Sequence, residues 1–286
     1  MPEHSNIAPW LIEPKSIPLT PLRCSLLDDF GVELLVARLD LVDPFIQGNK
    51  WFKLKFNLIE ALNQGAKHVV SFGGAYSNHL HALAAASHRL GLKSTAVLRG
   101  ELITPLNPTL KDCEAWGMSF FPVSRVQYRN KTSPAFIQSL HEQFGDIYLI
   151  PEGGSNLLAL KGMSEVADDI LSRVEGCDAL CCAVGSGGTL AGLAVGANPS
   201  IRCIGYSAIK GGSYIEKDIK ALIHQYSTNE SYNNRQGYAV DDEHLTLIHD
   251  YHFGGFAKVK PELVSFMAWF ERSFDIPLEQ VYTAKM

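Results

Sequence analysis

Short apolar runs that end in glycine or turn residues alternate along the chain with stretches whose apolar positions recur every three to four residues. The short runs predict strands over 32–37, 68–72, 94–98, 119–123, 147–150, 179–184 and 202–206. Several show little polar alternation, as expected of strands covered on both faces of a parallel sheet. The longer period predicts helices over 51–64, 78–90, 107–116, 134–144, 157–173 and 189–196. A further helix is expected over 261–274, with Leu263, Phe266, Met267 and Phe270 packed on the sheet. Strands joined by crossover helices give an α/β protein. Residues 226–244, rich in Ser, Asn, Asp and Glu, break this rhythm and read as a surface loop or a mobile flap that substrate would order.

At 286 residues the chain suits roughly two domains or one large one. Hydrophobic residues make up 46%, enough to bury a sizeable core. Thirty acidic against 25 basic residues, a net charge of -5, supply no footprint for a nucleic-acid partner. No run is long and apolar enough to cross a bilayer, and MPEHSNIAPW lacks the regions of a signal peptide, so a cytoplasmic location with no membrane partner is expected. The cysteines Cys24, Cys113, Cys177, Cys181, Cys182 and Cys203 include no Cys-x-x-Cys pair. They read as buried free thiols, and no metal is expected.

Three segments could carry chemistry. In Gly185-Ser186-Gly187-Gly188-Thr189 an apolar run passes into a glycine turn and then a helix, an arrangement that offers backbone N–H and hydroxyl donors to a phosphate monoester. Leu190 stands where a dinucleotide fingerprint needs its third glycine, and no Gly-Lys-Ser/Thr follows. Close helix–strand packing explains the glycines equally well. In the stretch from Ser71 through Gly73-Gly74 to Ser77-Asn78-His79, Ser77 or Asn78 is first of all a helix N-cap. His79 and His81, two apart, make a poor metal pair on a helix. Lys50 and Lys53 lie three apart at a turn-to-helix junction beside Trp51 and Phe52. Apolar surroundings disfavour a lysine's charged form and free its amine as a nucleophile or Schiff-base former, although locally two solvated lysines explain the pattern better.

The combination changes this. The segments 48–54, 73–79, 150–156 (Ile-Pro-Glu-Gly-Gly-Ser-Asn), 185–189 and 281–286 (Val-Tyr-Thr-Ala-Lys-Met) resemble, in order and spacing, the aminocyclopropane-carboxylate deaminase and D-cysteine desulfhydrase family of pyridoxal-phosphate enzymes. The likeness runs from about residue 19 to the last residue. It implies the tryptophan-synthase β-like fold (fold type II), with two open, twisted, mainly parallel sheets flanked by helices. It also implies a small αβ domain (53–152) inserted into a larger one made of 1–52 and 153–286, with the cofactor in the cleft and a homodimer as the default assembly. By this resemblance Lys50 holds pyridoxal phosphate as a Schiff base and moves the substrate proton. Lys53 adds charge at the phosphate, and Gly185, Ser186, Gly187, Gly188 and Thr189 cradle it. Asn78 meets the phenolic oxygen, and Ser77, with Asn49, Asn78 and His79, serves the substrate. Tyr282 lines the substrate pocket.

Thr283 stands where the resemblance puts a residue facing the pyridine nitrogen, a place the deaminases give to glutamate. A neutral hydroxyl cannot hold that nitrogen protonated as a carboxylate does, which favours β-elimination from D-cysteine or a related β-substituted D-amino acid over opening of a cyclopropane ring. Three segments depart from the family pattern: its Gly-Tyr-Gly reads Gly255-Phe256-Ala257, its Lys-Arg-Asp-Asp reads Ala37-Arg38-Leu39-Asp40, and the residue before Ser77 is Tyr76 instead of Gln. Aminocyclopropane-carboxylate deamination is the alternative activity. Phe256 and the end at Met286 prompt a third reading, a catalytically impaired protein that binds the cofactor or an amino acid.

Overall fold

The computed structural model describes residues 7–12, 16–229, 231 and 244–286. Its elements run α1 (Pro9–Ile12), β1 (Leu19–Leu22), α2 (Ser25–Asp29), β2 (Leu34–Ala37), α3 (Asn49–Asn63), β3 (His68–Gly73), α4 (Asn78–Leu90), β4 (Lys93–Arg99), α5 (Pro108–Ala115), β5 (Met118–Val123), α6 (Arg125–Arg129), α7 (Pro134–Phe144), β6 (Tyr148–Ile150), α8 (Leu157–Arg173), β7 (Ala179–Val184), α9 (Gly188–Gly196), β8 (Arg202–Ser207), α10 (Ser213–Thr228), β9 (Leu245–Ile248) and α11 (Pro261–Phe274). Two compact units result. The first holds Met1–Ser16 and Leu39–Ser155, the second Ile17–Arg38 and Asn156–Met286.

The first unit is built on a parallel sheet of order β5-β4-β3-β6. β3 and β4 are buried almost throughout, as strands covered on both faces are. On one face Val70, Phe72 and Val97 pack with Tyr128 of α6 and Leu140 of α7. The chain leaves β3 toward β4 on one side and returns as β6 on the other, so the carboxyl ends of β3 and β6 form a topological switch point, where open α/β sheets place their ligands. The second unit has a parallel sheet of order β7-β8-β9 and an antiparallel hairpin of β1 and β2. α8 and α9 pack backbone to backbone, because a Cβ on Gly192 would stand 2.3 Å from Met163 Cβ and one on Gly196 2.6 Å from the Ser164 carbonyl.

Several expectations change. The segment 32–37 is no covered parallel strand: β2 pairs in the hairpin, leaving Leu34 and Leu35 exposed, and its partner β1, four residues including Pro21, gave too short a signal. Residues 226–228 are the last turn of α10, while 230 and 232–243 lie outside the described residues. α10 itself had a signal in the chain: Ile215, Ile219 and Ile223 recur every four residues and all are buried. α11 forms as expected, yet only Leu263 is buried. The helix lies against a 3-10 turn at Thr283–Lys285 while Phe266, Trp269, Phe270 and Phe274 stack on one another. Of the cysteines expected to be buried, Cys113 and Cys203 are, whereas Cys181 is exposed on the edge strand β7. The chain passes between the units at Arg38 and Leu39, which leaves helix α3 whole in the first unit.

Candidate active site

In the first unit the switch point gathers three of the segments singled out in the sequence. Lys50 is the second residue of α3 and half-buried, and its Nζ donates to Asn49 Oδ1 at 2.8 Å. One turn on, Lys53 is 1% exposed and its Nζ donates to Ser155 Oγ at 2.9 Å. Its side chain is buried and its amine is tied to that hydroxyl, so its charge is held inside the fold at a fixed point.

Across the switch point Ser77 caps α4, its Oγ accepting from the Leu80 N–H at 3.3 Å, and Asn78 opens the helix exposed to solvent. Ser77 is thus the cap that its local sequence favoured. The turn before it is tight: a Cβ on Gly73 would lie 2.7 Å from Ser77 Oγ. Asn107 braces it by donating to the Ala75 carbonyl at 2.9 Å.

His79 lies behind the turn, 2% exposed. Ser71 Oγ donates to the Ile150 carbonyl at 2.7 Å and is 2.8 Å from His79 Nε2. The serine proton being committed to the carbonyl, Nε2 carries the imidazole proton and donates to Ser71 Oγ. Nδ1 is therefore a buried lone pair, and it has no partner among the described residues. Burial, then the charges of Lys53 and Lys50, push the His79 pKa well below the ordinary histidine value, so the ring stays neutral. Its edge abuts Gly154, where a Cβ would come 3.2 Å from Cε1 and where φ is +66°. The stretch Glu152–Ser155 is thereby fastened to both α3 and α4. Ser71 and Ser155 carried no assigned role in the sequence; the legible signal for Ser71 was one hydroxyl in an otherwise apolar strand.

In the second unit β7 runs into Gly185-Ser186-Gly187 and α9. Gly187 is the N-cap, with φ +82°, and no side chain caps the helix. A Cβ there would meet Ile219 Cγ1 of α10 at 2.5 Å. One on Gly185 would meet Tyr282 Cε1 at 2.8 Å. Ser186 is exposed. The turn thus presents a helix amino end, exposed hydroxyl chemistry and no side-chain bulk, a donor set suited to a phosphate dianion. Thr283 Oγ1 accepts from the Glu279 N–H at 2.7 Å and donates to the Glu279 carbonyl at 3.3 Å, so its proton is turned into its own turn.

Compared with known proteins, residues 15–285 match the family described as pyridoxal-phosphate dependent enzyme. The chain belongs to that family. A Thermotoga maritima protein provisionally named 1-aminocyclopropane-1-carboxylate deaminase is 34% identical over 269 residues, covering 90% of this chain and 83% of its own. A D-cysteine desulfhydrase of Klebsiella pneumoniae is 30% identical over 269 residues, covering 90% and 80%. Among solved structures, an aminocyclopropane-carboxylate deaminase homologue superposes with a TM-score of 0.82 at 27% identity, covering 95% of this chain and 82% of its own. The fold is that of fold-type II pyridoxal-phosphate enzymes, and the family's cofactor is pyridoxal phosphate. The residues present fit it, in the first unit an amine on Lys50 and in the second an uncapped helix start beside two glycines that admit no side chain.

Proposed function

We propose that this protein is a lyase that removes the β-substituent of D-cysteine or a related β-substituted D-amino acid. With D-cysteine one water is consumed, the C–S bond breaks, and pyruvate, ammonia and sulfide result. When bound, pyridoxal phosphate supplies the electron sink for the α-carbanion. Lys50 provides the amine that anchors the cofactor and takes the α-proton. Ser77 and Asn78, at the amino end of α4, and Asn49, beside the Lys50 amine, are the groups proposed to bind and orient the substrate. The glycine turn Gly185–Gly188 with Thr189 is the proposed phosphate cradle, and Lys53 the fixed charge toward it. His79, sealed behind Ser77, suits holding the turn in place better than touching the substrate.

The choice of elimination over ring opening is carried by Thr283, a neutral group whose only proton is already donated to Glu279. The relatives carry names of both activities, so the choice rests on Thr283. The test is the absorption spectrum with turnover assays. A visible band abolished by borohydride, together with pyruvate from D-cysteine, is expected, and Lys50→Ala should lose both, with activity down more than about a thousandfold. Undiminished activity in Lys50→Ala would end the reading, and brisk ketobutyrate release from aminocyclopropane-carboxylate would overturn the inference from Thr283. A cytoplasmic homodimer completes the proposal. The dimer is supported by Phe266 and Trp269, which α11 leaves exposed.

A further inference from the structure

Lys285 is 2% exposed. Its Nζ donates to the carbonyls of His252 at 3.1 Å and Gly255 at 2.9 Å, and among the described residues it makes no ion pair. An ammonium taken out of water and held by two carbonyls, with no carboxylate at ion-pair distance among the described residues, is an expensive choice for a site that methionine would fill. Burial lowers its pKa, with the nearby Glu279 opposing that shift.

The segment it grips is strained. Phe253 at φ 52° and Ala257 at φ 55° occupy the left-handed region without being glycine, and Gly254 and Gly255 are also at positive φ. Such backbone persists only where its surroundings over-determine it. The segment's own bonds are two backbone turns, Gly255 N–H to the His252 carbonyl and Lys258 N–H to the Gly255 carbonyl, and one side-chain bond, Gly254 N–H to His252 Nδ1 at 2.9 Å. The same two carbonyls receive the Lys285 ammonium, so one side chain locks both turns.

The segment carries Phe256, whose ring meets Tyr282 edge-on at 5.9 Å. Tyr282 in turn fills the space a side chain on Gly185 would need. Its own position is fixed from the other side by the Glu279 carboxylate, which accepts from the Val281 and Tyr282 N–H groups, and by the Lys285 N–H, which donates to the Tyr282 carbonyl at 3.0 Å. A chain of contacts therefore runs from Lys285 through the 252–257 segment and Phe256 to the tyrosine against the glycine turn.

We infer that Lys285 is a positioning residue that clamps the 252–257 segment to the terminal turn and, through Phe256, sets Tyr282 as a wall limiting the substrate side chain. The clamp is a property of this unit alone, and the wall rests on the lyase reading above. The clamp is tested by hydrogen exchange and the wall by kinetics, on cofactor-loaded wild type, Lys285→Met, Lys285→Arg and Phe256→Ala. In Lys285→Met the amides of 253–258 should exchange at least about tenfold faster while those of β7 and β8 do not change. Its KM for D-cysteine should rise about tenfold with kcat within about threefold, and Lys285→Arg should recover part of both. Phe256→Ala should raise KM in the same way with the Gly255 and Lys258 amides still protected. Unchanged exchange in Lys285→Met overturns the inference, as does a loosened segment with unchanged KM. Should Lys285→Met not fold, Lys285→Arg carries the same comparison, since it keeps the charge but displaces the donors. If the wild type turns over no D-amino acid, the lyase reading and the wall fall together, and the exchange data alone decide the clamp.

Discussion

The chain twice runs from a parallel strand through a glycine turn into a helix, and the two turns are finished in opposite ways. At β3 to α4 a serine caps the helix and a buried histidine pins the turn from behind. At β7 to α9 the cap is Gly187, which brings no side chain, and the apolar Ile219 presses on it. A capped helix start has already given part of its N–H capacity to its own chain, whereas one capped only by backbone directs that capacity outward. One motif class thus yields a turn suited to orienting a substrate through side chains and another suited to receiving a phosphate through backbone.

The sharpest way to break this comparison is Gly187→Ala. It forces an L residue into φ +82° and a methyl into Ile219, and should remove about 2–4 kcal/mol of stability along with most cofactor affinity, read by urea unfolding and cofactor titration. Retained affinity would show that the second turn is no anion site. Next comes pH. The folded His79 pKa lies well below that of the unfolded chain, so as pH falls below about 6.5 the unfolded state takes up a proton that the folded state refuses. Stability from this group is complete above that pH and declines below it by about 1.4 kcal/mol per unit until the folded pKa is reached. Urea unfolding of wild type and His79→Gln at a series of pH values should show the decline steeper in wild type. Parallel profiles would mean that the ring is not held neutral. The smallest effect is expected of Ser77→Ala, about 1 kcal/mol for a lost cap, with the borohydride-sensitive band retained and KM raised. Loss of the band in this variant would assign the first turn to the cofactor and reverse the comparison.

Much of this was legible in the chain. The run over 179–184 and the helical periods over 78–90, 134–144, 157–173 and 261–274 coincide with β7, α4, α7, α8 and α11, because apolar spacing is set by neighbours along the chain and shows whether or not the face is fully buried. Elements shorter than the repeat they would need, such as β1 and α6, left no such trace. α10 left one that went unread behind the polar residues following it.

By itself the sequence determined the α/β class, the order of elements and the residue types at both turns, since these depend on neighbours along the chain. Tertiary structure decided what each residue does. Ser77 became a cap, His79 a neutral acceptor fastened to Ser71, Lys53 a buried charge on Ser155, and Lys285 a clamp on the 252–257 segment. The roles of Lys53 and Lys285 depend on partners distant in sequence, and in all of the last three burial gives the pairing its force by removing the water that would otherwise satisfy those groups.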